Sequence, residues 1–165
     1  MKEKDYIHIT NFFRKTKFKK ELIKISSKLL PLIVVAIYFI CIGLLFIKRD
    51  SKIILFVLIP AMDFIFISIF RKIINAERPY DKYKITPLVD FKHGKGKSFP
   101  SRHTASAFII AMGCLYINLN LGLFMFILAI LIGLSRIASG VHFVRDVVAG
   151  MSISVLLGYL CFFVF

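Results

Sequence analysis

The 165-residue sequence contains no tryptophan and only three cysteines, Cys41, Cys114 and Cys161, each inside an apolar run. An odd number of cysteines in such surroundings favours reduced cysteines that pack among apolar side chains over disulfide bonds. No spacing of cysteine and histidine matches a zinc or haem ligand set, and the chain has no internal repeats or low-complexity tracts. The cysteines therefore indicate neither a disulfide framework nor a metal site.

Acidic residues are scarce as well: nine Asp and Glu stand against 23 Lys and Arg, giving a formal net charge of +14. Residues 1–28 hold nine of the basic residues and residues 71–102 another nine, each against three acids. Two such blocks indicate anionic partners, lipid headgroups for one and a phosphorylated substrate for the other. Nucleic acid is the competing partner, but it would need a soluble basic domain that this chain lacks.

Apolar sequence is abundant: 58% of the residues are hydrophobic, and the mean hydropathy is +0.80. Soluble domains average about 45–50% apolar residues, so the composition favours a membrane protein. Apolar runs of about the length of a membrane-spanning helix are 29–47, 53–70, 103–118, 121–137 and 146–165. We therefore predict an all-α integral membrane bundle of about five transmembrane helices, formed by residues 29–165.

Residues 1–28 have a different pattern, in which apolar residues recur at helical spacing among lysines. The recurring apolar residues, which run on to the edge of the first apolar run, are Phe18, Leu22, Ile25 and Leu29. This pattern predicts a basic amphipathic helix lying on an anionic membrane surface, and the alternative is a disordered basic tail. A cleaved signal peptide is not expected, because the apolar run starts late, is too long and lacks a small-residue cleavage site.

Three polar clusters interrupt the apolar sequence, at residues 71–79, 100–103 and 135–146. No apolar run separates the first two clusters, and two runs separate the second from the third. Because successive spans cross the membrane in opposite directions, all three clusters are predicted to emerge on the same membrane face. A shared site built from all three is therefore possible.

The third cluster combines a histidine, an aspartate and an arginine. On a helix, His142 and Asp146 lie one turn apart on the same face, so the carboxylate can hold the imidazole in one tautomer. Arg136 can bind an anion beside that imidazole. His103 adds a second imidazole, so that one histidine can attack phosphorus while the other protonates the departing oxygen. These residues predict a phosphoryl-transfer site.

Arginines from all three clusters can bind phosphate oxygens and stabilise a five-coordinate phosphoryl transition state without a metal ion. The basic residues available to the predicted site are Arg71, Lys72, Arg78, Arg102 and Arg136. Ser101 and nearby amides at the start of a helix can add hydrogen bonds, since helix N-termini favour anions. We expect neither a metal nor a cofactor.

The three clusters resemble the signature of the type-2 phosphatidic-acid phosphatase superfamily, which reads K-x6-R-P, P-S-G-H and S-R-x5-H-x3-D. The third pattern is met in full by Ser135, Arg136, His142 and Asp146. The second is met by Pro100, Ser101 and His103, with Arg102 in place of glycine. The first is met by Arg71, Arg78 and Pro79, with arginine where lysine is usual. The resemblance covers about residues 53–165.

The resemblance implies a role for each matching residue. His142 would be the nucleophile that forms a phosphohistidine, and Asp146 would orient it. His103 would be the general acid for the leaving group and then the base that activates water. The residues that would bind the phosphoryl oxygens are Arg71, Arg78, Ser101, Arg102 and Arg136. The backbone amides of Arg102 and His103 would bind them as well.

The resemblance also implies an activity, a substrate class and a location. The expected protein is a phosphatase in a bacterial plasma membrane that acts on undecaprenyl diphosphate, phosphatidylglycerol phosphate, phosphatidic acid or diacylglycerol diphosphate. Two other classes fit the same basic pocket: a non-catalytic protein that binds or transports anionic lipid, and a vanadate-dependent peroxidase, which the apolar character of the chain argues against. The pattern does not indicate an oligomeric state.

The family resemblance and the distribution of basic residues predict opposite orientations of the protein in the membrane. The resemblance places the site at the outer face, whereas five spans then put the basic residues 1–28 outside as well, against the positive-inside tendency.

Asp63, in the middle of an apolar run, is predicted to form a hydrogen bond between helices. Lys72 is predicted to be a solvated flank. His93, Lys95 and Lys97 form a basic loop that either contacts a headgroup or is a solvated linker.

Overall fold

The computed structural model describes residues 3–91, 93–94 and 96–164, and these form seven α-helices and no strands. The helices are α1 (Glu3–Arg14), α2 (Lys17–Ile47), α3 (Ile53–Ile74), α4 (Pro79–Lys82), α5 (Arg102–Ile117), α6 (Leu119–Ala138) and α7 (Val144–Tyr159). Residues Leu160–Val164 continue α7 as a π-helix. The predicted all-α membrane bundle is confirmed, and α2, α3, α5, α6 and α7 correspond to its five predicted spans.

Four helical segments of the described chain are long and apolar enough to cross a membrane: Lys17–Ile47, Ile53–Lys82, Leu119–Ala138 and Val144–Val164. The fifth helix, α5, has only 16 residues, or about 24 Å at 1.5 Å per residue. It lies at the centre of the bundle, packed against α2, α3, α6 and α7. Length and composition therefore identify four spans, and α5 is the short helix that they surround.

Small residues in α5 and α6 allow this close packing, because a small side chain lets neighbouring helices approach. A Cβ atom at Gly122 would stand 2.4 Å from the Cα atom of Leu115, and one at Gly113 would stand 3.1 Å from the ring of Phe56. The outer surfaces of α2, α3, α6 and α7 expose large apolar side chains, among them Phe39 and Ile65. An apolar outer surface of this extent is expected of a protein surrounded by lipid.

Asp63 is completely buried in α3, and its Oδ1 accepts a hydrogen bond of 3.0 Å from the hydroxyl of Ser154 on α7. The prediction that this aspartate joins two helices is confirmed. The bond lies within the apolar part of the bundle, where an unpaired carboxylate would be costly.

The amino-terminal residues form two helices. The predicted boundary at residue 28 falls within α2, which begins at Lys17 and runs without a break to Ile47. The apolar residues that recur at helical spacing, Phe18, Leu22 and Ile25, are all exposed on this helix. The shorter helix α1 packs against α2 and α6.

Helix α3 extends beyond the apolar run 53–70 that predicted it. Arg71 and Lys72 lie in the last turn of α3, which continues to Ile74 and is capped by Asn75 in the left-handed conformation (φ 43°). Asparagine adopts this conformation more readily than most residues and so ends helices well. The apolar run in the sequence ends before the first charged residue, Arg71, whereas the helix continues until its capping residue, Asn75.

Candidate functional site

The three polar clusters lie at one end of the bundle, which we call the polar end. The first cluster occupies the last turn of α3 and the start of α4, the second the start of α5, and the third the end of α6, the connection 139–143 and the start of α7. The clusters thus meet at one end of the bundle, as a shared site requires.

Hydrogen bonds join the clusters pairwise. The backbone N–H of Ser101 donates to the carbonyl oxygen of Asp146 at 2.8 Å, joining the second cluster to the third. The guanidinium of Arg71 donates to the carbonyl oxygen of Pro100, joining the first to the second. Arg78 Nη1 donates to the carbonyl oxygen of Val141 at 3.4 Å, joining the first to the third. The three clusters thus form one structure.

At its centre, His142 and Asp146 form a buried pair. His142 Nδ1 lies 3.4 Å from Asp146 Oδ2, and the two side chains are 3% and 0% exposed. The same carboxylate oxygen accepts hydrogen bonds from the hydroxyl of Ser98 at 2.5 Å and from the backbone N–H of Phe143 at 3.0 Å. Asp146 therefore caps the start of α7 while it faces the imidazole.

The surroundings of His142 favour its neutral form. Burial lowers the pKa of the imidazole from 6.5 to about 4, the hydrogen bond with Asp146 opposes that change, and the charges of Arg78 and Arg71 lower the pKa further. A neutral imidazole has a lone pair available for attack, so the pair has the protonation state that a nucleophile needs.

The arginines of the site are bound by backbone carbonyl groups. Arg136 Nη2 donates to the carbonyl oxygen of Ser27 on α2 at 2.5 Å, and Arg78 Nε donates to that of Gly96 at 3.1 Å. Within the described residues, no carboxylate lies within salt-bridge distance of Arg71, Arg78 or Arg136. The buried Nε of Arg136 has no hydrogen-bond partner in that part of the chain. The cluster is thus positively charged and has donors to spare for an anion.

His103 lies at the start of α5, within electrostatic range of His142 and Arg136. It is exposed to a groove of about 450 Å³ between α2, α3 and α5. Most of the groove is lined by apolar side chains, including Leu32, Phe64 and Ile110. The imidazole therefore stands where the polar end meets an apolar groove.

Ser101 and Arg102 differ from the other predicted phosphate-binding residues. Ser101 is fully buried, and its hydroxyl oxygen accepts a hydrogen bond of 3.0 Å from Thr104. The guanidinium carbon of Arg102 lies 5.1 Å from the ring centre of Phe64, at the wall of the apolar groove. Arg102 is thus at the entrance to the site rather than beside the His142 imidazole.

Sequence reasoning missed four residues that shape the site. Ser98 binds Asp146, and the carbonyl of Ser27 binds Arg136. Tyr6 donates a hydrogen bond to the carbonyl oxygen of His142. Gly150 lets α7 approach α5, because a Cβ atom there would stand 2.7 Å from the carbonyl oxygen of Ser101. Of these four residues, only Ser98 could have been proposed from the sequence, because it lies two residues before the second motif.

In the part of the chain that the structure describes, no group of three or more His, Cys, Asp or Glu side chains is placed to hold a metal ion.

Fold and site together define a membrane-embedded helical bundle with a cluster of arginines around a buried histidine–aspartate pair. The family model of the PAP2 superfamily matches residues 52–165, and the chain belongs to this superfamily.

Three characterised bacterial proteins are similar to the chain. The bacitracin transport permease protein BcrC of Bacillus licheniformis is 33% identical over 124 residues, covering 72% of this chain and 61% of that protein. The undecaprenyl-diphosphatase BcrC of Bacillus subtilis (strain 168) is 33% identical over 85 residues, covering 52% and 43%. Phosphatidylglycerophosphatase B of the same strain is 32% identical over 146 residues, covering 82% and 66%. The matches thus span less than two thirds of each relative.

Among solved structures, the crystal structure of Aquifex aeolicus LpxE matches with a TM-score of 0.63 at 26% identity. The match covers 86% of this chain and 92% of that one, so it includes nearly the whole bundle.

Proposed function

We propose that this protein is a metal-independent phosphatase that hydrolyses a lipid phosphate or diphosphate at a membrane surface. The observation that carries the proposal is the position of His142. Its imidazole is buried, faces Asp146, and lies among arginines that have no carboxylate partner within the described residues. A neutral histidine near guanidinium groups that lack a carboxylate partner suits attack on the phosphorus of an anionic phosphate.

The reaction proceeds in two steps. The free ring nitrogen of His142 forms a bond to phosphorus, and the bond from phosphorus to the leaving oxygen breaks. In the substrate complex the negative charge of the phosphate favours the protonated form of His103. His103 donates this proton to the leaving oxygen, so the lipid product leaves neutral at that atom. His103 then accepts a proton from water, whose oxygen attacks the phosphohistidine and releases inorganic phosphate. Asp146 stabilises the positive charge that develops on the imidazole.

Three arginines bind the transferred phosphoryl group. Arg71, Arg78 and Arg136 supply donors that point into a largely buried site, where charge-assisted hydrogen bonds are stronger than in water. Ser101 and the amides at the start of α5 add dipoles that favour an anion. Arg102 contacts the substrate at the entrance, where it borders both groove and polar end.

The groove beside His103 supports a lipid substrate, because its apolar lining suits a hydrocarbon tail. Undecaprenyl diphosphate, phosphatidylglycerol phosphate and phosphatidic acid are the candidate substrates. The names of two relatives, an undecaprenyl-diphosphatase and a phosphatidylglycerophosphatase, support the first and second of these.

The test is phosphate release by the detergent-solubilised full chain from a panel of lipid phosphates and diphosphates. His142→Asn should reduce turnover at least about 1,000-fold, as expected when a nucleophile is removed. His8→Asn, a change of the same chemistry at an exposed histidine in α1, is the matched control and should leave turnover unchanged. Quenching in alkaline detergent should trap labelled phosphohistidine in the parent chain, because the P–N bond is labile in acid and persists in alkali. Undiminished turnover in the His142 variant would refute the proposal.

A second candidate function is the binding or transport of an anionic lipid without hydrolysis. One relative is named a transport permease protein, which favours this alternative. It requires that no lipid in the panel releases phosphate and that lipid binding is the same in the parent chain and in His142→Asn. Transfer of a labelled lipid between vesicles then measures transport directly.

We propose that the chain spans a bacterial plasma membrane with its site at the outer face, on the strength of the family resemblance. The excess of basic residues on the face that carries α1 and the site is the observation that opposes this orientation. A cysteine introduced at exposed Glu77, in a chain lacking Cys41, Cys114 and Cys161, decides between the two faces. An impermeant maleimide should label it in intact cells, and should not label a cysteine at Ser51 in the opposite turn.

A further inference from the structure

A second cavity at the polar end is lined by basic side chains and, among the residues that the structure describes, by no acidic side chain. It has a volume of about 360 Å³. We call it the cationic pocket, and its five charged side chains are those of Arg71, Lys72, Arg78, Lys97 and Arg102. Five positive groups around one cavity repel one another, so the pocket is stabilised by an anion of high charge.

The loop that carries Lys97 is bound to the first cluster. Arg78 Nε donates to the carbonyl oxygen of Gly96 at 3.1 Å, and the backbone N–H of Ser98 donates to the carbonyl oxygen of Ala76 at 2.8 Å. A Cβ atom at Gly96 would stand 2.5 Å from Asn75 Oδ1, so glycine is needed where the loop meets the end of α3. These contacts keep Lys97 beside Arg78 as part of a wall, although Lys95 lies outside the described residues.

Arg102 joins the cationic pocket to the apolar groove, because its side chain borders both cavities. His103, the next residue, lines the same groove. Arg71 and Arg78, which line the cationic pocket, also act electrostatically on His142. A substrate with its tail in the groove and its reactive phosphoryl group at His142 would therefore have Arg102 and the cationic pocket beside it. Glycine at position 102, as in the usual second motif, would supply no charge there.

The site and the cationic pocket together hold more basic side chains than are needed to bind one phosphate. Arg71, Arg78 and Arg136 already provide donors for the transferred phosphoryl group. Within the described part of the chain, the other three basic residues, Lys72, Lys97 and Arg102, have no carboxylate at salt-bridge distance. We propose that these three residues form a second phosphate subsite, and that it binds the lipid-linked phosphate of a lipid diphosphate. This inference rests on the proposed function and specifies its substrate class, a diphosphate in preference to a monophosphate.

In the reaction on a diphosphate, the bond from His142 forms at the terminal phosphorus, and the bond to the bridging oxygen breaks. The bridging oxygen leaves with the lipid monophosphate and takes its proton from His103. Water then hydrolyses the phosphohistidine to inorganic phosphate. The second subsite binds the negative charge that the lipid-linked phosphate carries, which a lipid alcohol as leaving group lacks.

The first test compares farnesyl diphosphate with farnesyl monophosphate as substrates of the full chain in detergent. The double substitution Lys72→Gln with Lys97→Gln should lower the ratio of the two kcat/KM values, diphosphate over monophosphate, by about 10-fold or more. The matched control, Lys20→Gln with Lys84→Gln, makes the same change of charge at exposed lysines outside the pocket. It should leave the ratio within twofold. An equal ratio in both variants would overturn the subsite.

The second test measures binding without turnover, in the His142→Asn chain. Methylenediphosphonate should bind about 10-fold or more tightly than methylphosphonate, and Lys72→Gln with Lys97→Gln should abolish that advantage. If no lipid is hydrolysed but the advantage exists, the phosphatase proposal fails and the subsite stands. If lipids are hydrolysed but the two phosphonates bind equally, the phosphatase proposal stands and the subsite is refuted.

Discussion

The hydroxyl of Tyr6 donates a hydrogen bond of 2.8 Å to the carbonyl oxygen of His142, joining residues 136 positions apart. Burial raises the pKa of this hydroxyl, so it remains a donor over the physiological range. The Tyr6 ring meets that of Phe143 edge-on, with 5.4 Å between ring centres. Thr10, one turn further along α1, lies beside Gly140, whose φ of 78° shapes the same connection. Helix α1 is thus packed directly on the segment that carries His142.

Tyr6 is therefore a positioning residue, and Tyr6→Phe tests this role. The substitution keeps the ring but leaves a buried carbonyl group without its donor, so the His142 segment should shift slightly. We expect kcat to fall about 10-fold with KM within twofold, because small displacements of a reacting group are costly. Steady-state kinetics on the solubilised chain measure both constants.

The matched control is Tyr83→Phe. The ring of Tyr83 also packs on Phe143, with 5.8 Å between ring centres. The same loss of a hydroxyl within the same aromatic cluster should leave kcat unchanged. Equal effects of the two substitutions would show that general packing, rather than the hydrogen bond to His142, matters.

The pH dependence of activity should reflect the buried position of His142. Its pKa is lowered to about 4, so the neutral imidazole persists as the pH falls through 6.5 and is lost only near pH 4. The acid limb of kcat/KM that belongs to the enzyme should accordingly lie near pH 4. The pKa of the lipid phosphate is measured separately, and its contribution is removed from the pH profile of kcat/KM. A remaining limb near pH 6.5 would contradict the assignment.

Chelation and vanadate test the part played by the arginines. Because guanidinium groups supply the positive charge at the site, phosphate release should persist in an excess of EDTA. Vanadate adopts five-coordinate geometry and should inhibit competitively with the lipid. Inhibition is followed at several substrate concentrations, with EDTA back-titrated by Mg²⁺ as the control. Loss of activity in EDTA and its recovery with Mg²⁺ would refute the metal-free mechanism.

Gly150 tests the contact between α7 and the start of α5. A Cβ atom at this position would stand 2.7 Å from the carbonyl oxygen of Ser101. Gly150→Ala should force the helices apart, destabilising the fold by about 1–3 kcal/mol and lowering kcat through the displaced second motif. Gly43→Ala is the control, since a Cβ atom at that position on α2 would have no neighbouring atom within 4 Å. Thermal unfolding in detergent compares the two, and equal midpoints would contradict the expectation.

The sequence predicted the features that depend on local pattern. Apolar runs located the helices, and the alternation of runs and clusters placed His103, His142 and Arg78 at one end. The contacts of Ser98 and Tyr6 were not predictable, because each joins segments far apart in the chain and neither follows a periodic pattern. The position of Arg71 inside α3 was missed because hydropathy detects the end of an apolar run, whereas capping at Asn75 determines the end of the helix.

The short length of α5 has a consequence for the surrounding bilayer. A helix of about 24 Å does not match a hydrocarbon layer of about 30 Å, although its longer neighbours do. Either the end of α5 that lies at the polar end of the bundle is recessed below the headgroups, or lipids thin locally where they meet the groove. In both cases the depth of the substrate headgroup relative to α5 depends on the bilayer. Bilayer thickness should therefore influence turnover, even though the surrounding lipids take no part in the chemistry.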